Sequence, residues 1–188
     1  MTEPNRFIEH LEELAGREDR AALAALRRGL GQPPGTVAAM YPYVVPWLPA
    51  VASRWYEDTC YTIAALFALH PATGGGGNLG QSFRLAAAQE PPAEDQGVSA
   101  TERRFTALLA AHPDDLPQYL RQAVGYLRSK EIPVNWQQLF RDVLHWRAED
   151  RRVQRAWARG FWGRERQDQS QTAGEAPAEE TEHNEEGA

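Results

Sequence analysis

Residues 132–163 read IPVNWQQLFRDVLHWRAEDRRVQRAWARGFWG, and the spacing within them decides the fold class. At about 100° per residue, Leu139, Val143, Trp146, Val153, Trp157 and Phe161 fall on one side of a helix. Arg147, Arg151, Arg155 and Arg159 recur every four residues along a different side, with Arg152 beside them. The spacing predicts one continuous helix from about Asn135 to Gly163. Its aromatic face reads as core, with Trp146 and Trp157 buried against the preceding helix. The alternative for such rings is a stacking platform. The arginine row also has two readings. It is a solvated face partly neutralised by Glu149 and Asp150, or it holds an anion, since a permanently charged guanidinium offers five planar donors to phosphate or carboxylate.

The rest of the chain is read as helices as well. A first helix is predicted over Pro4 to Leu14, with Phe7, Ile8 and Leu11 on its apolar face. Asp19 is a candidate cap for a second, Arg20 to Leu30, stopped by the glycine and proline cluster that follows. Residues 36–51 carry Pro42, Pro46 and Pro49 and read as short turns. An apolar central helix is predicted over Ala52 to Leu69, a flexible link over Thr73 to Gly80, and a short helix over Leu79 to Gln89. Ser99 and Glu102 resemble a capping signal for a helix to Ala111. Asp114 or Asp115 opens another to Ser129. Alternating runs of Val, Ile and Thr are absent, so no sheet is expected. The predicted architecture is an all-α multi-helix bundle over residues 1–163, with helical lobes of about 1–97 and 98–163. Residues 164–188 are expected to form a disordered acidic tail.

Charge is unevenly spread along the 188 residues. The formal net charge is −6, yet residues 167–188 hold seven acids and no Lys or Arg. Residues 98–166 hold thirteen bases against eight acids, a net of +5. Such a body can meet a polyanion although the whole chain is acidic. The single cysteine, Cys60, excludes an intramolecular disulfide and any cysteine-based metal cluster, and its apolar surroundings predict a buried thiol. No signal segment and no membrane span are read from the sequence, so a soluble, cytoplasmic protein is expected.

No catalytic constellation emerges. The run TGGGGNLG lacks the Lys-Ser/Thr pair of a phosphate loop and follows no predicted strand. His70, His112 and His145 have no partner at metal-ligand spacing, and no serine sits in a nucleophile elbow. No catalytic residue, metal or cofactor is expected. What remains is a set of basic groups: Arg27 and Arg28, Arg103 and Arg104, Arg121 and Arg128 two turns apart, and Lys130. Several on one helical scaffold meet the requirement of sequence-independent backbone binding, which scales with the number of phosphates neutralised.

In order along residues 7–163 stand LAALRRGLG with MYPYVVP, YTIAALFALHP, NLGQSFRLAA, ERRFTALLAA, LPQYLRQAVGYLRSKEIPVNWQQLFRDVLHW and VQRAWARGFW. This ordered set resembles the CasB family, the small subunit of the type I-E CRISPR surveillance complex called Cascade. The resemblance implies an all-helical, non-enzymatic subunit present in two copies stacked head to tail. It implies contacts with the backbone and large subunits, and with the crRNA–target DNA heteroduplex and the displaced DNA strand. Modest contacts matter there because R-loop formation is a nearly balanced exchange of duplexes. The displaced single strand calls for a basic groove indifferent to sequence. Carried onto this sequence, the nucleic-acid-binding candidates are Arg103 and Arg104, then Arg27 and Arg28, then Arg121, Arg128 and Lys130. Arg147, Arg151 and Arg152 of the last helix complete the set. The competing reading is an α-helical adaptor whose arginines bind an acidic protein surface. An enzyme with a site invisible to motifs is the third.

Overall fold

The computed structural model describes residues 3–91 and 97–163. Nine α-helices are found among the described residues, and no strand. They are α1 (Glu3–Gly16), α2 (Arg20–Arg27), α3 (Tyr41–Val44), α4 (Arg54–Leu69), α5 (Leu79–Ala88), α6 (Ala100–Leu109), α7 (Leu116–Ser129), α8 (Trp136–Leu144) and α9 (Arg152–Trp162). The expected all-α class is therefore met. The acidic tail lies outside the described residues.

Most helix starts follow from local chemistry. Asp19 accepts from the backbone N–H of Ala22, Ser53 from Tyr56, Ser99 from Glu102 and Asn135 from Gln138. Each bond satisfies a donor that the first turn leaves without an intrahelical partner. Asn78 opens α5 with a capping box closed by Gln81. The proline-bearing segment forms short turns, Ala38–Met40 and Val45–Trp47 on either side of α3.

Helix α4 is the central element, with Ile63, Ala64, Ala65, Leu66, Phe67 and Ala68 all buried. Helices α2, α7 and α8 pack around it, and α8 also packs on α1. On the other side α9 lies across α5, with α6 touching both. That crossing is close. A Cβ on Gly80 would run into the backbone carbonyl of Trp157, so only glycine lets the two helices meet there. One apolar core runs from Phe7 to Trp157. Cys60 is part of it, and burial pushes its thiol up to about 12.

One expectation is overturned. The predicted helix from Asn135 to Gly163 is two helices, α8 and α9, separated by turns over residues 145–151. In a straight helix Trp146 and Trp157 would lie about 16 Å apart along the axis. Here their ring centroids are 5.0 Å apart. Folding the segment back lets both indoles bury against each other, which outweighs the hydrogen bonds lost at the break. Arg151 takes a left-handed conformation at φ 49°, and Asp150 Oδ1 accepts from the N–H of Arg152 to start α9. The arginines therefore do not form one ladder. Helix α9 packs on α5 and α6, and not mainly on α7.

Gly125 is in the middle of α7, and a Cβ there would meet nothing within 4 Å. Glycine costs a helix interior about 1 kcal/mol relative to alanine. Gly125→Ala is expected to raise stability by about 0.5–1 kcal/mol in urea titration. A loss of stability would show that this surface is less open than the geometry states.

Candidate nucleic-acid interface

Three groups of basic side chains stand on the helices. The first surrounds the end of α2. Arg27 Nε donates to the carbonyl of Ala68 at 2.7 Å, satisfying one of the acceptors left over at the end of α4. Arg28 follows as the C-cap of α2. The Arg121 guanidinium, from α7, lies against Gly31, three residues further on. It edges an open groove of about 560 Å³ lined also by Pro33, Tyr61, Ala65 and the acidic residues Asp114 and Asp115. Arg128 stands two turns beyond Arg121 on the same flank of α7.

The second group gathers on Tyr126. The Arg104 guanidinium sits 5.0 Å from the ring centroid and the Lys130 ammonium 6.0 Å, at cation–π distances. The ring is held in place by its own hydroxyl, which donates to Glu90 Oε1 at 3.1 Å and meets the Thr101 hydroxyl. Thr101 also donates to Glu90 at 2.5 Å. These hydrogen bonds, that from Thr101 foremost, hold the Glu90 carboxyl below the usual carboxylate range. Arg103, next on α6, gives one Nη1–H to the carbonyl of Val98 at 2.6 Å. Its other donors face outward on an exposed side chain.

The third group is on the turns between α8 and α9. Arg147 stacks 4.1 Å above the Trp55 ring and pairs with Asp114 at 3.3 Å. Arg151 donates to the carbonyl of Leu109 at 2.7 Å, at the end of α6. Arg152 begins α9 and is exposed. Among the described residues, the side chains of Arg28, Arg128 and Arg152 have neither an ion pair nor a hydrogen bond.

Helix α7 joins the first two groups. Arg121 and Arg128 flank its buried stripe of Leu120, Val124 and Leu127 on one side, and Tyr126 flanks it on the other. The arc between them, roughly 140° wide at 100° per residue, carries Gln118, Gln122, Gly125 and Ser129. It holds no carboxylate to repel a phosphate. Sequence reading missed Tyr126, Glu90 and Thr101 as the parts that position Arg104. Only the Tyr four residues before Lys130, at helical spacing, hinted at it.

The Trp pair lies in the core. Trp146 Nε1 donates to the carbonyl of Ala111 at 3.3 Å, and Trp157 Nε1 donates to Asp142 Oδ2 at 2.6 Å. Burial pushes the Asp142 carboxyl up, while the bonds from Trp157 and Gln138 pull it down. Both indoles are buried, as expected, which leaves neither ring available as a platform for a base in this conformation. Among the described residues no group of three His, Cys, Asp or Glu side chains converges to hold a metal ion. No helix among them is long and apolar enough to cross a membrane.

The chain is similar to known proteins over most of its length. The family described as CRISPR-associated protein Cse2 matches residues 22–162. A CRISPR-associated protein Cse2 from Thermus thermophilus is 36% identical over 165 residues, spanning 87% of this chain and 92% of that protein. The crystal structure of a Cse2-family protein from the same organism superimposes with a TM-score of 0.73 at 34% identity, covering 87% of this chain and all of that one. A chain of a CRISPR RNA-guided surveillance complex superimposes with a TM-score of 0.67 at 29% identity, over 85% of this chain and 91% of its own.

Proposed function

Because the chain belongs to the CRISPR-associated Cse2 family, also called CasB, we propose that it is a non-catalytic structural subunit of a cytoplasmic, crRNA-guided antiviral surveillance complex. In that complex it stabilises the R-loop, gripping the crRNA–target heteroduplex and the displaced strand through the phosphate backbones. The observation that carries this reading is the basic surface built around α6 and α7. Arg103, Arg104, Arg121, Arg128 and Lys130 stand there on rigid helices beside an uncharged arc. Arg28 extends the surface on one side. Arg147, Arg151 and Arg152, on and beside the turns between α8 and α9, are the further candidates.

The Val98 carbonyl holds Arg103 and the Tyr126 ring holds Arg104 before the ligand arrives, so these two side chains lose little ordering entropy on contact. Phosphate contacts of this kind carry no sequence information, which suits a strand whose sequence changes with every target. The guide supplies specificity, and the protein supplies charge. Its partners are the backbone and large subunits and a second copy of itself. Exposed Val45 and Val51, on the proline-bearing segment, supply apolar area for such protein contacts.

The isolated chain is expected to bind single-stranded DNA weakly and without sequence preference. Six phosphate contacts give a log–log salt slope of about −4. Fluorescence anisotropy of labelled oligonucleotides across a salt series checks this. A slope near zero favours the adaptor reading, in which the arginines meet an acidic protein surface, and binding that follows base sequence contradicts the backbone-contact reading.

A further inference from the structure

The described chain ends at a defined place. Trp162 Nε1 donates to Glu102 Oε1 at 3.1 Å, and its ring packs on Phe105 with centroids 5.5 Å apart. Arg84 Nη1 holds the carbonyl of Gly163 at 3.2 Å. The C-terminal end of α9 is thus fastened to α6 beside Arg103 and Arg104. From that anchor the chain continues for 25 more residues, and residues 167–188 contain Asp168, Glu175, Glu179, Glu180, Glu182, Glu185 and Glu186 with no Lys or Arg.

A segment of 25 residues reaches at most about 85 Å from its anchor. That is enough to reach any of the basic groups described above. Tethering at this distance gives an effective concentration in the millimolar range, without any free ligand. A run of carboxylates also matches what planar guanidinium groups bind.

We propose that residues 167–188 dock on the surface of Arg103, Arg104, Arg121 and Arg128 as an intramolecular polyanion. The unassembled subunit is then shielded from indiscriminate binding to cellular nucleic acid. A strand held next to it by an assembled complex, itself at high effective concentration, displaces the segment. The choice of nucleic acid as competitor rests on the function proposed above. The docking of the acidic segment does not.

The test uses the full chain and a full-length variant with Asp168→Asn and all six glutamates of the segment changed to Gln. Arginine side-chain Nε–H resonances, assigned through Arg→Lys variants, report docking without any nucleic acid. At low salt the resonances of Arg103, Arg104, Arg121 and Arg128 are expected to differ between the two proteins. They should coincide at about 0.5 M salt, where screening is short-ranged. Coincident spectra at low salt overturn the inference, whatever the proteins do with DNA. In parallel, the neutralised variant is expected to bind a thirty-nucleotide oligothymidine about tenfold more tightly at 50 mM salt. Equal affinities, with both proteins binding, overturn the competition. Spectra that differ while neither protein binds oligothymidine uphold the docking and count against the proposed nucleic-acid function.

Discussion

Trp157→Ala is expected to lower the thermal midpoint by about 10–20 °C and to remove the protein from any assembly by unfolding it. The indole is fully buried, with its ring against Trp146. Truncating a buried aromatic to alanine costs about 3–5 kcal/mol. The substitution also removes the 2.6 Å donor from the buried carboxylate of Asp142, and a buried group left unsatisfied adds about 1–3 kcal/mol. For a domain of this size each kcal/mol moves the midpoint by about 2–4 °C, and total stability is about 5–15 kcal/mol. Trp157→Phe keeps one six-membered ring but loses the pyrrole part of the indole with its N–H, so it should cost roughly half as much. Differential scanning calorimetry separates the two. A Trp157→Ala protein that melts like the parent but fails to bind DNA would mean that the rings serve as base-stacking platforms in another conformation.

The break between α8 and α9 marks where local reading stops. Capping signals at Asp19 and Ser99 are contained within four residues of sequence and predict helix starts. The turn over residues 145–151 has no such marker apart from the acid pair Glu149–Asp150, which reads equally well as partners for the arginine row. What breaks the helix is tertiary. Two indoles eleven residues apart gain more by meeting each other, and by reaching Ala111 and Asp142, than by continuing one stripe.

The candidate interface shows the same division. Residue type and helical spacing expose the arginines, but not how their donors are committed. Arg27 reaches the end of α4, 41 residues away, and Arg151 reaches the end of α6, 42 residues away. Only a fold brings such groups together. Tyr126 as the platform for Arg104 and Lys130 depends in turn on Glu90 and Thr101, from two other segments.

Reversing four charges together, Arg103→Glu, Arg104→Glu, Arg121→Glu and Arg128→Glu, is expected to abolish measurable binding of single-stranded DNA by the isolated protein. Each phosphate contact contributes about 0.7 to the salt slope. Losing four reduces the slope by about 2.8. At 0.1 M salt this corresponds to about 600-fold in affinity before any repulsion from the new carboxylates is counted. The four side chains are exposed, so the thermal midpoint should move little beside that of Trp157→Ala. Retained affinity in the folded variant would place the binding surface elsewhere, with Arg27, Arg28, Lys130, Arg147, Arg151 and Arg152 the remaining candidates to test.

The measurement closest to the central claim is the lifetime of the R-loop in an assembled crRNA-guided complex carrying either this chain or its Arg103→Glu, Arg104→Glu variant. The proposed role predicts equal incorporation of the two proteins and equal crRNA content. It also predicts markedly faster loss of the R-loop in the variant complex at low salt, and the difference should narrow as salt is raised. Equal R-loop lifetimes in fully assembled complexes would contradict it.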